Sequence, residues 1–140
     1  MKLKPVLLLI GLLASMTACS VSGVSNQAAA AKGKALFDAM IEGDMDKVMS
    51  TYSEKFFESR PPDQWRDHLE SVRKQSGDIK SYEITRLSSD TRFSGKFFIF
   101  EYRNVRTNGT TWETLTMVNP IDTKDVELIA HKIKVVSKLN

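Results

Sequence analysis

The hydrophobic spacing of this chain changes period at Gly77, from repeats of three and four residues before it to a repeat of two after it. A chain that runs through its helical spacing first and its strand spacing second builds an α+β fold rather than an alternating α/β one. Before the change, Leu36, Phe37, Met40 and Ile41 recur at helical spacing after an Ala-rich lead, and Gly43 suits a C-terminal stop. Asp44 is placed to cap a second segment, in which Met45, Val48, Met49 and Tyr52 stand at i, i+3, i+4 and i+7. Arg60-Pro61-Pro62 breaks the chain, and Pro62, Asp63 and Gln64 form a favourable first turn for a third helix that runs to Gly77. Its apolar stripe is Trp65, Leu69 and Val72, with His68 on the same side and the pairs Arg66–Glu70 and Glu70–Lys74 outside.

After Gly77, the stretches Ile79 to Leu87, Lys96 to Arg106, Thr110 to Val118 and Val126 to Val136 are rich in aromatic and β-branched residues and are separated by turn signals. Asn108-Gly109 reads as a two-residue hairpin turn, because both positions tolerate positive φ. That turn pairs Thr107 with Thr110, and hence Tyr102 with Leu115 and Phe100 with Met117. One face then carries Phe98, Phe100, Tyr102 and Asn104 with Glu113, Leu115 and Met117, and the other carries Phe97, Ile99, Glu101 and Arg103 with Trp112, Thr114 and Thr116. The first face is the more apolar and is expected to meet the helices, with Glu113 and Asn104 at its rim. The expected architecture is three N-terminal helices packed on a four-stranded antiparallel sheet.

The first residues follow a different logic. Lys2 and Lys4 precede an apolar run from Val6 to Ala14, followed by small and mildly polar residues up to Cys19. This is the order of a secretory signal, and the run is too short to span a bilayer, which takes about 20 apolar residues. Met16-Thr17-Ala18-Cys19 resembles the lipobox of bacterial lipoproteins, with Met where Leu is commoner. The resemblance implies lipidation of the Cys19 thiol, cleavage before it, and acylation (palmitate or a similar chain) of the new amino group. Ser20 follows instead of Asp, which in lipoproteins of enteric type implies the outer membrane, facing the periplasm. The expected organisation is a signal peptide over 1–18, a Ser-, Gly- and Asn-containing tether over 19–28 with order setting in near Asn26, and one domain over 29–138.

Composition excludes several functions. The formal charge is +3, but Lys2 and Lys4 leave with the export segment, so twenty basic residues less two leaves eighteen against seventeen acidic ones. That balance offers no surplus for nucleic-acid phosphates. The one Cys is the processing residue, which excludes disulfide scaffolds and Cys-based catalysis in the domain.

The helix-then-sheet order is similar to the cystatin-like α+β roll of the NTF2-like superfamily. Gln64-Trp65, Arg73, Gly77, Phe100-Glu101-Tyr102-Arg103 and Glu113-Thr114-Leu115-Thr116 resemble a group of small exported NTF2-like proteins known only as a domain of unknown function, over roughly Ala29 to Ile133. The departure lies in the last strand, where Val126 to His131 stand in place of a Trp and a Gly-Tyr pair, so the aromatic lining is reduced.

Acid-base residues of NTF2-like enzymes sit between helices and sheet, where His68 and Glu113 are expected. Burial among apolar residues is expected to raise the pKa of Glu113. Its favoured role is structural, accepting hydrogen bonds from Tyr102, Arg73 or backbone groups. His131, as a strand residue at a sheet edge, is expected in solvent, and two distant His residues make no metal motif. Trp65, His68, Tyr102, Asn104, Glu113, Leu115 and Met117 are the candidate pocket or rim residues. No Ser-His-Asp set, phosphate loop or metal spacing is present, so no catalytic residue and no cofactor is expected. The leading expectation is a non-catalytic envelope lipoprotein whose roll binds a small apolar molecule or an envelope protein. The alternatives are a module that assembles through its sheet, a homodimer included, and an acid-base enzyme using Glu113 and His68.

Overall fold

Four capped or proline-started helical segments precede four strands, in the order the change of period requires. The computed structural model describes residues 25–137. The expected export segment, Cys19 and the part of the expected tether up to residue 24 lie outside the described residues. Ser25 caps α1 (Asn26–Glu42) by accepting from the Ala28 N–H at 3.3 Å, and Gly43 closes the helix. Asp44 caps α2 (Met45–Ser50), accepting from the Lys47 N–H at 3.0 Å. Here the helical stripe ends earlier than its spacing suggests: Tyr52 leaves the helix and bridges in parallel to Leu128, while the Ser53 N–H donates to the Leu128 carbonyl at 3.1 Å. The Ser53 side chain then caps a further one-turn helix, α3 (Glu54–Phe57), which the sequence reading did not foresee. The longer α4 (Pro62–Ser76) starts with Pro in its first turn and buries Trp65, Leu69 and Val72.

The strands β1 (Ile79–Arg92), β2 (Gly95–Arg106), β3 (Gly109–Pro120) and β4 (Glu127–Ser137) form one antiparallel sheet in the order β1-β2-β3-β4. Helices cover one face of it, and Leu36, Phe37, Phe56, Phe98, Phe100 and Leu115 meet between the layers. Gly33 permits a close approach, since a Cβ there would run into the Tyr102 hydroxyl. Beyond Leu87, β1 continues to Arg92 through exposed polar residues that its ladder to β2 holds in place.

The hairpin register differs from expectation. Arg106 pairs with Gly109, so the loop is Thr107-Asn108, and Tyr102 faces Glu113, Phe100 faces Leu115, and Phe98 faces Met117. Neither Asn108 nor Gly109 adopts the positive φ on which the expected turn relied. The cause is tertiary. The Thr107 N–H donates to the Asp78 carbonyl at 3.0 Å and the Asn108 N–H to the Ser76 carbonyl at 2.9 Å, which pins the loop to the junction of α4 and β1. Gly77 makes this possible: its φ is 81° and a Cβ on it would stand 2.7 Å from that of Thr107. The displacement is two residues, so every side chain keeps its expected face.

Candidate functional site

Alternation along β2 and β3 turns Tyr102, Asn104 and Arg106, and Thr111, Glu113, Leu115 and Met117, toward the helices, and all seven are buried. Glu113 and Asn104 are therefore interior residues, not rim residues as expected. The Glu113 Oε1 accepts from Arg106 Nη2 at 2.9 Å and from the Thr111 hydroxyl at 2.7 Å. Thr111 in turn accepts from Arg106 Nε at 2.9 Å, and Arg106 Nη1 donates to the Gly77 carbonyl at 3.1 Å. On the other side, His131 Nε2 donates to Glu113 Oε2 at 2.7 Å, and His131 Nδ1 shares a hydrogen bond of 2.8 Å with the Tyr52 hydroxyl. The result is one buried chain, Arg106–Glu113–His131–Tyr52, that crosses the inner face of the sheet.

The electrostatics reverse the sequence expectation for Glu113. Burial alone pushes its pKa up, but the hydrogen bond and charge of His131, the charge of Arg106 and the Thr111 hydroxyl together outweigh burial and hold it at about 2. The partners are not the expected Tyr102 and Arg73. Arg73 is exposed and paired with Asp78 at 2.5 Å, and the Tyr102 hydroxyl has no partner among the described residues. Burial, then the Glu113 charge, raises the pKa of Tyr52 above its ordinary range, so its hydroxyl keeps its proton.

His131 corrects a second expectation, since it is fully buried rather than solvated. Strict alternation from buried Leu128 would turn it outward. A register shift lies between the pairs Thr116↔Ala130 and Met117↔Leu128, and the extra residue, Ile129, re-aims His131 into the core. Arg106, Thr111 and Tyr52 were also not singled out from sequence. For Arg106 and Thr111 a signal existed, because each continues by twos from an assigned inner residue.

His68 is the converse case. It is exposed, its ring stacked on Trp65 with centroids 5.0 Å apart, and no hydrogen bond joins it to Glu113. Partial burial, then the nearby charges of Arg60 and His131, hold its pKa below the ordinary value. Trp65 itself is buried, with the Arg60 guanidinium 5.0 Å from its ring. Both polar atoms of the buried Asn104 side chain lack partners among the described residues.

Two openings flank the buried chain. A cleft of about 610 Å³ lies where the ends of α1 and α4 meet the β2–β3 hairpin, lined by Met40, Met45, Val48, Leu69, Ile79 and Arg106, with Glu70, Arg73, Lys74 and Asp78 around it. A second groove, also about 610 Å³, runs between α1 and the β3–β4 turn and is lined by Ala28, Lys32, Tyr52, Ser53, Lys124 and Val126. Arg106 thus borders one opening and Tyr52 the other. None of the seven candidate residues lines either. The described residues contain no cluster of three or more side chains able to hold a metal ion, and no helix among them is long and apolar enough to cross a membrane.

No family model matches the chain, and no curated protein matches it. Among solved structures it is similar to that of Bd1075 from Bdellovibrio bacteriovorus, with a TM-score of 0.53 and 15% identity over 81% of this chain and 41% of that one. The chain thus spans less than half the length of that protein, and the likeness is one of fold.

Proposed function

We propose that this chain is a bacterial envelope lipoprotein, processed and lipidated at Cys19 and held at the outer membrane, whose NTF2-like roll is a non-catalytic module that binds a small, largely apolar molecule. The observation that carries the binding reading is the cleft beside the hairpin. Its volume lies in the range of small-molecule sites, and Met40, Met45, Val48, Leu69 and Ile79 give it an apolar wall that faces polar and charged groups from Glu70, Arg73, Lys74, Asp78, Arg106, Thr107 and Asn108. Two of these are methionines, whose unbranched side chains adapt to ligands of varied shape. Against an enzyme stands the state of Glu113: both carboxylate oxygens are engaged, its pKa is held low, and His68 points elsewhere. A general base needs a free acceptor aimed at substrate. The lipid reading rests on the Met16-Thr17-Ala18-Cys19 sequence.

Two measurements test these halves. Mass spectrometry of the mature N-terminus is expected to find acylated Cys19, and an unmodified N-terminus elsewhere overturns the anchor. With methionine methyl groups labelled for NMR, titration of dodecanoate is expected to shift the Met40 and Met45 signals saturably and to leave buried Met117 unmoved. Signals that all stay in place, or all move together, overturn the cleft as the site.

A further inference from the structure

Phe93, at the tip of the turn between β1 and β2, is as exposed as in an extended peptide (103%), and Ile121, in the turn between β3 and β4, is 63% exposed. The two turns lie side by side, because the Ile121 N–H donates to the Ser94 carbonyl at 3.3 Å and Gly95 pairs with Pro120. Neither side chain is part of the core, so packing gives no reason for an aromatic or a branched aliphatic residue at these tips.

The start of the described chain lies at the same end. The first turns of α1, through Ala28 and Lys32, form the groove with Lys124 and Asp125 of the β3–β4 turn. Cys19 stands only six residues before the cap Ser25, a reach of at most about 20 Å even when fully extended. An anchor on Cys19 would keep this end of the sheet within about 20 Å of the bilayer. The hairpin and its cleft lie at the other end of β2, about 35 Å away along the strand.

We propose that Phe93 and Ile121 form a membrane-docking tip that inserts shallowly into the lipid surface to which the chain is tethered, so that the cleft opens away from the membrane. This rests on the lipid-anchor reading. The charges around the tip balance, with Arg92, Lys96, Lys124 and Lys32 beside Asp90, Asp122, Asp125 and Glu127, so apolar insertion and not charge is the attraction. Shallow burial of two side chains is weak by itself, and the tether makes it effective by keeping the tips at high local concentration near the lipid.

The test uses the mature, lipidated chain in vesicles of phosphatidylethanolamine and phosphatidylglycerol. Cys19 is the one cysteine and its sulfur carries lipid, so Phe93→Cys, Ile121→Cys and Asn108→Cys each offer a single thiol for a spin label. Asn108 is exposed at the far hairpin and serves as the reference. Labels at 93 and 121 are expected to show raised collision with oxygen and lowered collision with a water-soluble nickel chelate relative to 108. Flotation of the same samples separates the two claims. A chain that floats with labels at 93 and 121 as nickel-accessible as at 108 overturns docking and leaves the anchor standing. A chain that does not float overturns the anchor, and the docking proposal with it.

Discussion

The two ends of the sheet are built by opposite means. At the hairpin end, the loop backbone is bonded to the α4–β1 junction, Gly77 lets the two backbones close, and Arg106 and Glu113 are buried against each other. At the other end, Ser88 to Arg92 of β1 are exposed, and Phe93 touches nothing in the core. The contrast shows where the chain spends its stability. The end that carries the cleft is tied to the helical layer by the loop bonds to Ser76 and Asp78, whereas the turn end is held within the sheet, by its ladder, the Ile121–Ser94 bond and the Asn119 bonds to Thr123 and Asp125, and presents Phe93 and Ile121 outward.

The largest effect is expected at Glu113. Glu113→Ala leaves Arg106 and His131 buried without their acceptor, and losing one partner of a buried ion pair costs about 3 to 5 kcal/mol. Glu83→Ala, which breaks the exposed pair with Arg103, is expected to cost less than about 1 kcal/mol. Denaturant unfolding of both variants compares them, and equal losses would erase the distinction between the buried network and the surface.

The same carboxylate sets an acid limit. Because its pKa falls from 4.5 unfolded to about 2 folded, its contribution is complete above pH 4.5 and is lost as pH falls toward 2. Wild-type stability is expected to drop over that window by on the order of 3 kcal/mol more than that of Glu113→Gln. Parallel pH profiles of the two proteins would argue against an ionised, paired Glu113.

Gly77→Ala probes the loop contact alone. It forces a side chain into a conformation open to glycine and against Thr107, for which a loss of about 1 to 3 kcal/mol is expected in thermal unfolding. At the turn end Phe93→Ser is expected to change stability by no more than about 0.5 kcal/mol, and a larger loss would mean that Phe93 packs after all.

Which parts of this arrangement the sequence discloses follows from the range of the forces involved. Periodicity is local, so the change at Gly77, the caps at Asp44 and Gly43, and the inner face of β2 and β3 were legible. Register was not, because Asn108-Gly109 has strong local turn character that the bonds to Ser76 and Asp78 override. His131 was expected in solvent from its place in an edge strand, and the bulge at Ile129 that turns it into the core leaves no mark in residue spacing. His68 shares the helical side of Trp65 but stacks on the outer surface of the indole, a distinction of one ring's width that residue spacing does not resolve.

The central claim is that the cleft beside the hairpin holds a small apolar molecule. It is tested most directly by purifying the protein from its native cells beside a Met45→Trp variant, which narrows the cleft at a partly exposed wall residue, and measuring by mass spectrometry the small molecules released on unfolding. An apolar compound is expected in near-stoichiometric amount with the wild type and is expected to be lost from the variant. No such compound, or the same amount from both proteins, would contradict it.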